Sequence, residues 1–231
     1  MKNLLELVFI MDRSGSMAGL ESDTLGGFNS MLGKQREENQ DVLVTTVFFN
    51  QTNQILHDRV PIAEIIPLTK RDYFASGSTA LLDAIGDTVQ RIRIIHKYAR
   101  EEDIPAHTLF VIITDGMENA SRRFRHDQIK KMIETQKTEK NWEFLFLGAN
   151  IDTVSVGKQI GIEENRSISF FNDGEGQREI FSGMPRIISC LESMSEDNNF
   201  FDAVSDYKTI IEQKKRDKEE RKRREWEQIK E

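Results

Sequence analysis

Hydrophobic positions along this chain follow two alternating rhythms. A dense apolar run around Val8, Phe9 and Ile10 has the pattern of a strand covered on both faces. Leu20, Leu25, Phe28, Met31 and Leu32 then recur at helical spacing. Residues 41–50 are rich in β-branched and aromatic side chains and predict a second strand, with 53–60 as its antiparallel return at the sheet edge. A helix is expected from Thr79, its buried stripe being Leu82, Ile85, Val89 and Ile92. Residues 108–114 (TLFVIIT) read as the central strand. Ile129, Met132, Ile133 and Gln136 continue as a helix, and 142–148 as another buried strand. A short helix over 151–161, closed near Gly161, precedes a strand at 167–171. The helical region that follows runs through Leu191, with an interruption expected at Pro185.

Strand and helix alternating at these lengths predict an α/β fold: a doubly wound, Rossmann-like, mostly parallel sheet with helices on both faces. After Leu191 the texture changes. The expected organisation is one domain over 1–191, a polar linker over 192–204, and a charged helix or fraying tail over 205–231. Val204, Tyr207 and Ile211 stand at helical spacing and predict one last helix anchored on the body. Residues 214–231 hold nine Lys or Arg against six Asp or Glu, a net of +3, which leaves −10 on the remainder. Trp226 and Ile229 leave room for a packed or partner-bound helix near the end.

Composition narrows the function classes. The chain has 231 residues, 38% hydrophobic and 31% charged, and this suits one full core beneath a charged surface. A net charge of −7 gives no nucleic-acid footprint. One cysteine, Cys190, permits no intrachain disulfide, and the four histidines show no metal-ligand spacing. The apolar stretch 4–11 contains Glu6 and leads into Asp12-Arg13 without a small-residue cleavage site, so it is not read as a signal sequence. No run reaches the length needed to cross a bilayer. A cytoplasmic protein is the expectation.

Ligands of open parallel sheets bind beyond the carboxyl ends of the strands. Three segments deliver oxygen groups there: Asp12-Arg13-Ser14-Gly15-Ser16, Ser76-Gly77-Ser78-Thr79, and Thr114-Asp115-Gly116. Carboxylates and hydroxyls of this kind suit a hard divalent cation. Asp12, Ser14, Ser16 and Thr79 are candidate ligands, and Asp115 would complete the shell directly or through water. With one direct carboxylate, such an ion keeps a net positive charge and favours an anionic group from outside. No His or Lys lies in these loops to carry a proton, which argues against catalysis. Glu118, Asn119, Asn150 and Asp152 are candidates for contacting a partner on the same rim. Met17 and Met117 are candidates for its apolar border.

The three fragments D-x-S-G-S, G-S-T-A-L and T-D-G, in this order, resemble the von Willebrand factor A domain family over roughly residues 3–191. The family's signature is a metal-ion-dependent adhesion site. Carried onto this chain, the resemblance implies a metal site of Asp12, Ser14, Ser16, Thr79 and Asp115, holding Mg²⁺ or Mn²⁺. It also implies a sheet of about six strands, one antiparallel at the edge, and coordination finished by an acidic residue of a protein partner. Intracellular members are often parts of larger assemblies, some beside ATPases. No phosphate-binding G-x-x-x-x-G-K-[ST] loop occurs here. The charged segment after 204 has no counterpart in the core domain. The function expected is therefore a divalent-metal-dependent protein-binding module, not an enzyme. The competing readings are a scaffold acting through the C-terminal helix and a Mg²⁺-dependent phosphoesterase.

Overall fold

Strand β1 (Leu5–Asp12) is buried along its whole length, because it lies at the centre of the sheet with helices on both sides. The structure is a computed structural model and describes residues 4–38, 41–192 and 199–230. Its other strands are β2 (Val42–Phe49), β3 (Asn53–Pro61), β4 (His107–Thr114), β5 (Glu143–Ala149) and β6 (Ser167–Phe170). They form one six-stranded sheet in the order β3-β2-β1-β4-β5-β6. All neighbours run parallel except β3, which pairs antiparallel with β2 at the edge. The sheet is thus the mixed, doubly wound one expected from the alternation of periods.

The pleat of β1 divides the core in two. Leu5, Leu7, Phe9 and Met11 face one hydrophobic cluster, while Val8 and Ile10 face the other. The first cluster is covered by α1 (Glu21–Glu38), α5 (Gly174–Ser182), α6 (Met184–Glu192) and α7 (Asn199–Lys230). The second is covered by α2 (Leu81–Tyr98), α3 (His126–Lys140) and α4 (Thr153–Gln159). Edge-to-face contacts of Phe28 with Phe9 and with Phe181 tie α1 to the sheet and to α5.

Strand order reverses at β1, whose neighbours are β2 on one side and β4 on the other. The loops after β1 and β4 therefore open side by side, where an open sheet offers a crevice.

Three details depart from the expectations. The α2 helix begins at Leu81 with Ala80 as its cap, so Thr79 stands outside it and its hydroxyl is not spent on capping. The break between α5 and α6 falls at Gly183. Pro185 sits in the first turn of α6, where a missing N–H costs nothing. The last helix starts at Asn199, inside the segment read as a linker; residues 193–198 lie outside the described residues, as does the side chain of Ile229.

Helix α7 belongs to the core for its first half. Phe200, Val204, Tyr207 and Ile211 are buried in the first cluster. The buried Arg166 pairs with Glu143 at 2.9 Å, and its guanidinium lies 4.5 and 4.4 Å from the ring centroids of Phe200 and Phe201. Tyr207 donates its hydroxyl to the Ile180 carbonyl at 2.5 Å. Its ring lies against Gly183, where a Cβ would meet ring carbons at 2.5 Å.

Gly183→Ala is therefore expected to destabilise the chain by about 1–3 kcal/mol through overpacking. Gly33→Ala, where a Cβ meets nothing within 4 Å inside α1, should stabilise it by about 0.5–1 kcal/mol. Urea denaturation of both variants checks the pair; equal effects would contradict this packing.

Candidate metal centre

The site begins with the carboxylate that ends β1. Asp12 Oδ1 accepts the Ser14 amide at 2.7 Å, which curls the chain and brings the Ser14 and Ser16 hydroxyls within 3.1 Å of each other. Asp12 Oδ2 accepts the hydroxyl of Thr114, the last residue of β4, at 2.7 Å. Ser16 donates to Asp115 Oδ1 at 2.6 Å, and Asn172 donates its amide to Asp115 Oδ2 at 2.8 Å. Asp12, Ser14, Thr79 and Asp115 are 1–3% exposed, whereas Ser16 is open to solvent and marks the mouth.

Thr79 reaches the cluster through the loop before α2. Gly15 donates to the Gly77 carbonyl at 2.9 Å, and Ser76 donates to the Arg13 carbonyl at 2.8 Å. Gly77 makes the turn with φ 77°, a conformation that side chains other than glycine resist. The Asn50 side-chain amide donates to the Ser76 carbonyl at 3.0 Å, and Asn50 O accepts the Ala80 amide at 2.8 Å. The Thr79 amide donates to Asn119 Oδ1 at 2.9 Å. A Cβ placed on Gly116 would lie 3.3 Å from Thr79 Oγ1 and 3.5 Å from Ser16 Oγ. The bare glycine leaves a cradle bounded by the two hydroxyls beside Asp115.

Electrostatics make this cluster unusual. Burial pushes the Asp12 carboxyl above its ordinary value, against hydrogen bonds from Thr114 and Ser14, with the Asp115 charge a further contribution. Burial likewise raises Asp115, opposed by Ser16 and Asn172. Among the described residues neither forms an ion pair with Lys, Arg or His. Arg13 turns away, donating to Gln54 at 2.8 Å and standing 5.2 Å from the Phe74 ring centroid. Two buried carboxylates without a counter-charge carry a large desolvation penalty. A divalent cation would offset it, and the donors present, two carboxylates and three hydroxyls, are all hard oxygens. No group of three or more His, Cys, Asp or Glu is assembled among the described residues, so any ion here depends on the hydroxyls. The residues fit such an ion by charge, by donor type and by the cradle at Gly116.

The structure thus brings together all five residues singled out from the sequence. It also shows a supporting ring. Tyr73 is buried edge-on against Phe48 and donates its hydroxyl to the Asp12 carbonyl at 2.6 Å. Thr114, Asn172 and Asn50 hold the loops as described. Thr114 and Asn172 each stand at or just beyond a strand's carboxyl end, a positional signal the sequence does contain. Glu118 and Asn119, read as partner contacts, also hold the rim together, Glu118 half-buried and Asn119 exposed. Glu118 accepts the amides of Leu82, Ala120 and Ser121 and the Ser121 hydroxyl, all between 2.7 and 2.9 Å, while Asn119 positions Thr79. Asp152 caps α4 through the Ser155 amide at 3.1 Å. Met17 is buried, whereas Met117 is 69% exposed beside the mouth.

No protein-family profile matches the chain, and no curated protein does. Solved structures do. The von Willebrand factor domain of the type V pili tip protein from Porphyromonas gingivalis superimposes with a TM-score of 0.58 at 11% identity, covering 87% of this chain and 100% of that one. The PilB minor pilin from Streptococcus sanguinis gives 0.54 at 12% identity, over 80% and 61%. Proximal thread matrix protein 1 from the mussel byssus, with a zinc-occupied metal-ion-dependent adhesion motif, gives 0.51 at 13% identity, over 79% and 45%. The chain spans less than two thirds of the pilin and less than half of the byssus protein. At these identities the likeness is one of fold: the chain has a von Willebrand factor A-like α/β architecture.

The loop that carries Glu118 and Asn119 is pinned from behind by Asp83, whose carboxylate accepts the amides of Arg122, Arg123 and Phe124 at 3.0, 2.9 and 3.0 Å. Burial alone would raise Asp83, but these bonds outweigh it and hold it below its ordinary value. Its stabilisation should be complete above the unfolded carboxyl value of 3.8 and be lost as pH falls through the lower folded value. Asp83→Asn should accordingly lower stability at neutral pH and flatten the acid limb of a pH–stability curve. Glu118→Ala should cost about 1.5–3 kcal/mol and speed hydrogen exchange at Leu82, Ala120 and Ser121. Unchanged exchange there would show that the carboxylate does not organise the rim.

Proposed function

We propose that this chain is a protein-binding module that works through a divalent cation, Mg²⁺ or Mn²⁺, at the rim formed by Asp12, Ser14, Ser16, Thr79 and Asp115. One observation carries the reading: two buried carboxylates and three hydroxyls converge at the switch point of the sheet with, among the described residues, no basic group paired to them. When bound, the ion supplies an open, electron-poor position suited to an Asp or Glu carboxylate of the partner. The zinc reported in the byssus protein's motif supports a divalent occupant on this architecture.

The rest of the rim supports binding over catalysis. Thr114, Ser14 and Asn172 orient the two carboxylates by donating to them. Among the described residues no histidine or lysine hydrogen-bonds to this cluster to shuttle a proton beside its carboxylates. Exposed apolar side chains stand on both sides, Met117 at 69% and Phe74 at 56%. Side chains of this kind make contact area at protein interfaces.

Mg²⁺ at about a hundred times its dissociation constant should add about 2.7 kcal/mol to folding stability, a rise in Tm of roughly 5–10 °C. The rise should vanish in Asp12→Ala and Thr79→Ala. Protein captured on the immobilised chain in Mg²⁺ should be released by EDTA and missing from Asp12→Ala. Capture that survives both EDTA and the substitution would move the function away from the rim, to the scaffold reading and the C-terminal helix.

A further inference from the structure

Beside the rim lies a groove of about 670 Å³, floored by Phe170, Phe171, Ile151 and Val156 and bordered by Met117 and Lys215. Two chain segments lead from it to the carboxylate cluster. Met117 follows Asp115 by two residues, at most about 7 Å along the backbone. Phe171 immediately precedes Asn172, which donates to Asp115. One wall comes from α7, an element outside the region that carries the sequence motifs. There the ammonium groups of Lys215, Lys218 and Lys222 lie 5.8, 5.5 and 5.1 Å from the Phe171 ring centroid and fix the helix against the rim.

Three of the polar groups that line this groove are engaged within the fold, and His126, Asn150, Ser155, Gln159 and Glu219 line it as well. Glu118 is spent on backbone amides, Asp152 caps α4, and Lys215 donates to Ser169 Oγ at 2.7 Å. A charged occupant would be desolvated by the aromatic floor. An apolar side chain would cover Phe171, Ile151 and Val156, all half-buried, and the exposed Met117. The volume falls within the range of small-ligand pockets and exceeds what one aromatic side chain needs.

We infer that the groove is a second recognition site, which takes a large apolar side chain of the same partner segment whose acidic residue engages the rim. This rests on the proposed metal-dependent function and assigns the two sites different tasks. The carboxylate confers dependence on the ion, and the apolar side chain selects which acidic segment is held. In an extended segment the two residues are separated by about one to four positions, given about 3.4 Å per residue. Helix α7 is then part of the binding face.

The test is selection of displayed random linear peptides carrying one fixed central Asp. The full chain is immobilised in Mg²⁺ and peptides are eluted with EDTA. The expected result is enrichment of Phe, Tyr, Trp, Leu or Met at one offset from the Asp. Met117→Lys, at an exposed position, and Val156→Lys should keep EDTA-sensitive binding of Asp peptides. Both should lose at least tenfold in affinity for the enriched ones. EDTA-eluted peptides with no apolar preference, or undiminished affinity in both variants, would overturn the groove and leave the metal-dependent reading intact. A failure to recover any EDTA-eluted peptide would overturn both.

Discussion

Two carboxylates, Asp12 and Asp115, stand at the carboxyl ends of neighbouring parallel strands and are buried with no positive partner among the described residues, and much of the rim follows from that constraint. Leaving water costs each of them several kcal/mol, and they repel each other across the switch point. The chain meets this with neutral donors only: the Ser14 amide, the hydroxyls of Thr114 and Ser16, and the Asn172 amide. Such donors orient the carboxylates without neutralising them. A lysine or arginine paired with either carboxylate would consume the charge that draws a cation.

Holding that arrangement requires rigid loops, and the hydrogen bonds of the rim go into making them so. Tyr73 fixes the Asp12 carbonyl from below, Asn50 fixes Ser76 and Ala80, and Asn119 fixes Thr79. Glu118 and Asp83 stitch the segment after β4 to the start of α2. On the far side α7 covers the β6 flank, anchored by Arg166 between two phenylalanines and by Tyr207 over Gly183. Its lysines then reach Phe171 at the rim. The same helix that completes the first core cluster also shapes the surface next to the carboxylates.

The strands, their order of appearance and the antiparallel edge were legible in the sequence because hydrophobic period is a local property. Asp12, Ser14, Ser16 and Asp115 were legible as a cluster because each stands at or just beyond the carboxyl end of a recognisable strand. Thr79 was found as a hydroxyl but placed at a helix start. Its position two residues earlier depends on Asn119, forty residues away, and local pattern does not show such a bond. Tyr73 and Asn50 act through hydrogen bonds to residues far along the chain, Tyr73 to Asp12 and Asn50 to Ser76 and Ala80, which local pattern does not show; Asn172 has the positional signal of a strand's carboxyl end but not its bond to Asp115. Pro185 drew attention as a breaker, although proline is tolerated in a first turn and Gly183 makes the break. The periodicity of Val204, Tyr207 and Ile211 predicted a docked helix. It did not predict that the helix would begin at Asn199 or that its Lys215 would line a groove.

The central claim is that Asp12, Ser14, Ser16, Thr79 and Asp115 hold one divalent cation. Crystals of the chain grown with Mn²⁺ and measured for anomalous scattering would test it most directly. The account predicts a single strong peak among the oxygens of these five side chains, lost in crystals of Asp12→Ala grown identically. A well-ordered rim with no peak in saturating Mn²⁺, or a peak only at other carboxylates, would contradict it.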